Sequence, residues 1–264
     1  MPSVDLICAG QVLRIDSSIC EMATERVHWK RFLSTSGQAP SLTVRRHASL
    51  EGTPIDAPLG KCTFTLGEGT LDVAVEDGVF RGELILRLSW YLLATRQGAV
   101  LIHACALREG DTAIVAAGKS GDGKSTLSRL GVGAGLELLT DEVVMLFPDG
   151  RVCGTPFRSD FENAGQPGIV KVRYFFALEK APHEALKELS ALAATQLAMA
   201  QCFDVAEVAL PRAEVRQRLL SFLSNVELRT LAFRKDPAAG TFVRGLVRPL
   251  PDPLPRGGEG GTST

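Results

Sequence analysis

Apolar and polar positions divide the chain into two stretches of different rhythm. Over residues 1–79 the apolar positions come in short runs, VDLICA, VLRI, RVHWKRFL, LTVRR, CTFTL and LDVAV, set apart by Gly, Pro, Ser and Asp. That punctuation predicts a small β-rich lobe. Alternation is sharpest over 61–66 and 71–75, where Gly67-Glu68-Gly69 between them predicts an antiparallel hairpin. Residues 83–96, ELILRLSWYLLATR, then place Leu84, Leu88, Tyr91 and Leu92 at helical spacing with Gly98 just beyond the end, which predicts a linking helix.

After Gly98 the runs become unbroken. AVLIHACAL and, across the turn at 109–111, TAIVAA have the continuous apolar character of central strands in a covered sheet. LELLTD, VVMLF, RVCG and KVRYFFAL read as further strands, and VELRTLAF as a last one. Helical patterns occupy 184–200 and 211–223, the second opened by Pro211. Residues 248–264, RPLPDPLPRGGEGGTST, have little to bury and predict a disordered tail. The expected organisation is a β-rich lobe with its linking helix over 1–97, an α/β domain over 98–247 and the tail.

Charge narrows the partners. With 29 Lys+Arg against 30 Asp+Glu, the chain has no basic surplus to neutralise a run of phosphates, so a nucleic-acid partner is not expected. No apolar run approaches the roughly 20 residues that span a bilayer, and residues 99–107 are interrupted by His103, so no membrane span is expected either. MPSVDLICAG has no basic segment ahead of an apolar core and small-residue cleavage site, which predicts a cytoplasmic protein. The six cysteines are scattered singly and read as small buried thiols rather than metal ligands.

The strongest chemical signal is Gly118-Lys119-Ser120-Gly121-Asp122-Gly123-Lys124-Ser125, the pattern G-x-x-x-x-G-K-[ST] of a phosphate-binding P-loop. It follows the strand TAIVAA and leads, through Thr126, into the helical start STLSRL, so backbone N–H groups and a helix N-terminus would converge on bound phosphates. ATP and Mg2+ are therefore the expected ligands. Lys124 is expected as a surface cation reaching the β- and γ-phosphates, and the Ser125 hydroxyl as a magnesium ligand. Downstream, LELLTD ends in the paired carboxylates Asp141 and Glu142. One would serve the metal and the other take a proton, or the pair is a solvated strand terminus. His103 is the only histidine in an apolar segment, equally suited to a hydrogen-bonded core position and to catalysis.

His103, then 118–125, then Asp141-Glu142 fall in the order and near the spacing of the catalytic domain of HPr kinase/phosphorylase, and the chain resembles that family over about 101–144. The resemblance implies an α/β P-loop catalytic domain similar to phosphoenolpyruvate carboxykinase, preceded by a small β-rich lobe. It implies a kinase that moves the γ-phosphate of ATP to a serine of a protein or peptide. Carried over residue by residue, the active-site histidine falls on His103, the phosphate-binding lysine on Lys124, the metal-binding hydroxyl on Ser125 and the acidic pair on Asp141, the metal-side acid, and Glu142. The family's second acid is Asp; here it is Glu142, whose extra methylene moves the carboxylate by about 1.5 Å. In the region of the family's later Glu and Arg stands GTPFRSDFENAG, with Arg158 and Glu162, which does not match. Arg158 and Arg173 are candidates for added positive charge, or surface residues. Two further readings stay open: a nucleotide-binding sensor without catalysis, and a small-molecule kinase of carboxykinase-like fold. The oligomeric state, homo-oligomer included, is open as well.

Overall fold

Alternation decides the first sheet. β1 (Ser3–Cys8) and β2 (Gln11–Asp16) pair antiparallel across a turn at Ala9 and Gly10. β3 (Leu42–Arg46), β4 (Thr53–Ala57), β5 (Gly60–Leu66) and β6 (Thr70–Val75) complete the spatial order β1-β2-β3-β6-β5-β4. The hairpin expected around Gly67-Glu68-Gly69 joins β5 to β6, with Leu66 opposite Leu71 and the Gly67 N–H donating to the Thr70 carbonyl at 2.9 Å. The computed structural model describes residues 2–23, 27–57, 59–76, 78, 80–157, 165–203 and 210–247. The tail expected over 248–264 lies outside them.

Within the described residues the chain is a mixed α/β protein of two mixed sheets and six α-helices. The second sheet comprises β7 (Val100–Glu109), β8 (Thr112–Ala117), β9 (Glu137–Thr140), β10 (Val143–Leu146), β11 (Arg151–Cys153), β12 (Ile169–Lys180), β13 (Ala185–Glu188) and β14 (Glu227–Phe233). β8, β12 and β14 run parallel, while β7 is antiparallel to β8 on one side and to β9 and β10 on the other. The start of β12 has a neighbour on each edge, Lys171 standing opposite both Thr112 of β8 and Arg151 of β11. Because β11 also pairs with β10, the strands β7, β8, β12, β11 and β10 close into a ring.

The helices are α1 (Ser17–Glu21), α2 (Arg81–Arg96), α3 (Lys124–Gly133), α4 (Ala191–Ala200), α5 (Arg212–Leu223) and α6 (Pro237–Val247). The two faces of the second sheet are covered differently. Cys105, Leu107, Ile114, Ala116 and Phe176 pack with Leu127 of α3 and Val243 of α6. Ala104, Ala106, Val115 and Phe175 pack on the other side in a cluster that includes α2 and the inner face of the first sheet. From 82 to 94 every residue of α2 is buried except Arg87, so the linking helix is apolar nearly all round and lies between the sheets as core. Trp90 joins these layers, meeting Phe32 edge-on at 6.2 Å and Phe157 at 5.8 Å between ring centroids.

Three expectations are corrected. RVHWKRFL contains a 3-10 turn at Trp29–Phe32 rather than a strand, which seats Phe32 against Trp90. Helix was expected over 184–200, yet Ala185–Glu188 is a strand antiparallel to β14. Helix begins only at Ala191, where the Ser190 hydroxyl caps the Ala193 N–H at 3.2 Å; ladder pairing at a sheet edge and a serine cap outweigh helical propensity before it. α6 was not foreseen, since Gly240 and Gly245 interrupt its apolar pattern. Gly240 is needed for packing: a Cβ there would overlap the Leu130 carbonyl oxygen, where α6 crosses α3. Gly240→Ala should therefore cost about 1–3 kcal/mol of stability, read as a lower urea midpoint at unchanged slope; an unchanged midpoint would show that the two helices are not in that contact.

Candidate functional site

The glycine loop connects the end of β8 to α3. Its backbone must turn back on itself, and Gly121 and Gly123 do so with φ of +87° and +111°, left-handed values that favour glycine. A Cβ on Gly123 would also stand 3.0 Å from the Phe233 ring. Asp122 ties the loop by accepting the Lys119 N–H at 2.6 Å. Lys119, Ser120 and Gly121 are exposed. Lys124, Ser125 and Thr126 form the first turn of α3, and Gly123 at its N-cap offers no side-chain acceptor to that turn.

Lys124 departs from expectation. It is buried rather than a surface cation, its Nζ donating to the carbonyls of Gly118 at 2.7 Å and Lys119 at 3.2 Å. Burial holds its pKa below the ordinary lysine value, opposed by negative charge on Glu142 and Asp122. A cation held by two carbonyls of a glycine loop can be transferred to phosphate oxygens with little rearrangement.

The acidic pair occupies the bend between β9 and β10. Thr140 builds that bend: its hydroxyl donates to the Phe157 carbonyl at 3.1 Å and lies 3.4 Å from the main-chain N–H groups of Glu142 and Val143. Thr155 supports it by donating to the Val143 carbonyl at 2.6 Å. Asp141 is buried. Its charge acts on Cys105, whose thiol is pushed up to about 12, first by burial. The bend is not beside the strand that feeds the glycine loop; β7 lies between them, with Thr140 opposite Ala106 and Val143 opposite His103.

β7 supplies the third component. His103 Nδ1 stands 2.9 Å from the main-chain oxygen of Glu142. A carbonyl only accepts, so Nδ1 carries the hydrogen, and Nε2 of the neutral ring keeps its lone pair. The Glu142 carboxylate lies 3.5 Å from the same Nδ1. Burial holds the His103 pKa below 6.5; Glu142 opposes this, and the cations Lys124 and Arg87 reinforce it. His103, Lys124 and Glu142, dispersed in sequence, are thus within electrostatic reach of one another.

Arg87 of α2 is the residue the sequence reading missed. Its guanidinium lies 2.7 Å from Glu83 and 3.1 Å from Glu142. It sits over the rings of Phe157 and Phe203, at 4.9 and 5.5 Å from their centroids. A Glu and an Arg four apart in a helix otherwise buried all round were the available signal. Arg173 lies near the opposite end of the sheet from the glycine loop, donating to the Leu246 carbonyl at 3.1 Å in the last turn of α6. Arg158 and Glu162 fall outside the described residues.

Among the described residues no group of three or more His, Cys, Asp and Glu gathers as a self-sufficient metal site. Magnesium is commonly bound by one or two carboxylates together with substrate phosphates, and Ser125 and Asp141 provide a hydroxyl and a carboxylate. All six cysteines are free thiols, five of them buried. No helix among the described residues is long and apolar enough to cross a membrane. Compared with known proteins, the sequence matches no family model and no curated protein.

His103 yields a prediction on stability. A depressed folded-state pKa means that the unfolded chain binds more protons, so the contribution is present above pH 6.5 and is lost as pH falls through the folded-state value. His103→Asn keeps a donor for the Glu142 carbonyl without titrating. Wild type should lose stability relative to this variant as pH drops below 6.5, in urea melts across the range; parallel curves would contradict the assignment.

Proposed function

We propose that the chain is an ATP-dependent kinase that transfers the γ-phosphate to a serine of a protein or peptide, as its resemblance to HPr kinase/phosphorylase implies. The observation that carries this reading is the convergence of Lys124, His103 and Glu142 from three separate elements beside the glycine loop. A nucleotide-binding turn requires the lysine alone. A carboxylate and a neutral imidazole side by side add the means to accept a proton.

In this reading the N–H groups of 118–125 and the N-terminus of α3 bind the phosphates, and Lys124 exchanges its loop carbonyls for phosphate oxygens. Ser125 and Asp141 hold the magnesium, which neutralises charge on the phosphates when bound. The serine Oγ forms the new O–P bond as the bond from the γ-phosphorus to the bridging oxygen breaks. That oxygen leaves with the electron pair on ADP, and the serine proton passes to Glu142. His103 fixes the main chain of Glu142 through its Nδ1–H.

One observation favours a nucleotide sensor instead: the Glu142 carboxylate is already engaged by Arg87 at 3.1 Å. Substitutions separate the readings. Lys124→Ala should weaken Mg-ATP binding by about 10- to 100-fold, the worth of a charge-assisted hydrogen bond, and should also lower thermal stability without nucleotide, because two loop carbonyls lose their donor. Glu142→Gln should keep nucleotide affinity while slowing ATP turnover, with water as acceptor, by about 100- to 10,000-fold. Asp141→Asn should weaken magnesium-dependent binding and turnover together. Calorimetry and phosphate release measure both quantities. Tight Mg-ATP binding by a wild type that neither hydrolyses nor transfers supports the sensor.

A further inference from the structure

We infer that Arg87 is a positioning residue, which holds the Glu142 carboxylate against His103 from outside both the bend that carries Glu142 and the strand that carries His103. The inference rests on the kinase reading for its functional consequence and on geometry for the coupling itself. Arg87 reaches the site from α2, the helix clamped between the two sheets. Its Nε and Nη2 grip one oxygen of Glu83 at 2.9 and 2.7 Å, and the same Nη2 reaches Glu142 at 3.1 Å. Glu83 is fully buried, so it anchors the guanidinium from the core side. Phe157 and Phe203 fix its plane through ring contacts.

The arrangement divides the two oxygens of Glu142. Oε1 faces Arg87 at 3.1 Å, and Oε2 faces His103 Nδ1 at 3.5 Å. A glutamate has three side-chain torsions, and a carboxylate free to rotate would reach a hydroxyl in a small fraction of its conformations. With one oxygen pinned, the other is confined to the side facing His103. Arg87 is 12% exposed and Glu142 12%, so solvent screens this pair little, in contrast to surface pairs such as Lys61–Asp56. The ionisable groups facing it are the charged Glu83 from α2 and Lys124 from α3, and the neutral His103 from β7. Phe203, which covers the guanidinium, lies just beyond Cys202, bridged to Ile102, and Gln201, whose carbonyl accepts the His103 N–H at 2.7 Å. Residues 201–203, directly after α4, therefore touch both Arg87 and His103.

A residue that acts through Glu142 has a distinctive signature: its loss matters only while the carboxylate is there. Phosphate release from Mg-ATP is compared for wild type, Arg87→Met, Arg87→Lys, Glu142→Gln and the double variant Arg87→Met/Glu142→Gln, with calorimetric Mg-ADP affinity as the control. Arg87→Met should lower kcat by about 100-fold, the cost of a misplaced reacting group, at unchanged KM and nucleotide affinity. Arg87→Lys should recover part of the loss, and the double variant should be no slower than Glu142→Gln alone. Wild-type turnover in Arg87→Met, or losses that multiply in the double variant, would overturn the inference. Should Arg87→Met fail to fold because the buried Glu83 loses the cation at 2.7 Å, Glu83→Gln/Arg87→Met takes its place. The imidazole 15N–1H spectrum of the nucleotide-free protein reads the coupling without turnover: Arg87→Met should shift the His103 resonances, and an unchanged spectrum would overturn the inference. A wild type that shows no turnover defeats the kinase reading, and the spectrum then decides the Arg87 coupling by itself.

Discussion

β7 is bonded on both edges by strands that run opposite to it, and the rest of the site depends on that arrangement. On one edge it pairs with β8, which delivers the chain into the glycine loop; on the other it pairs with β9 and β10, between which Asp141 and Glu142 sit. Loop and bend emerge at the same end of the sheet because both flanking strands are in register with the His103–Ala106 part of β7. His103 opposes Val143, Ala104 opposes Ala117, and Ala106 opposes Thr140. The small alanines at 104, 106, 116 and 117 are fully buried, which lets α3 on one face and the cluster around α2 on the other approach the sheet closely.

A second constraint is electrostatic. Glu83, Arg87, Glu142, His103 and Lys124 place ionisable groups where water is largely excluded, and such groups persist only when each has a partner or a neutral form. Arg87 answers the two carboxylates, the loop carbonyls answer Lys124, and His103 answers burial by favouring its neutral form. A buried ion pair is weak support for stability, since an apolar replacement of the whole set is often as stable. Concentrating this chemistry between the glycine loop and the acidic bend instead fits the cost that functional sites carry.

Much of this was legible in the sequence. The β5–β6 hairpin was announced by alternation and by Gly67 and Gly69, and β7 and β8 by unbroken apolar runs, because those patterns reflect local geometry and burial on both faces. The strand–glycine loop–helix segment was legible for the same local reason. What stayed hidden depends on distant partners. β13 exists because β14 offers an edge, and α6 because Gly240 fits against Leu130; neither neighbour is visible in a local window. The burial of Lys124 and the reach of Arg87 to Glu142, 55 positions away, likewise follow from how the layers stack. The proton on His103 Nδ1 could be assigned only once the Glu142 carbonyl was seen beside it.

The proposed activity requires this glycine loop, acidic bend and histidine to move a phosphoryl group to a serine together. The most direct measurement incubates the purified chain with γ-labelled ATP and magnesium in a cell extract stripped of nucleotides and follows label into protein and peptide, with the Lys124→Ala chain in parallel. Phosphoserine should appear on a discrete acceptor with wild type and not with Lys124→Ala. Equal labelling by both chains, or none by a wild type shown to bind Mg-ATP, would contradict that activity.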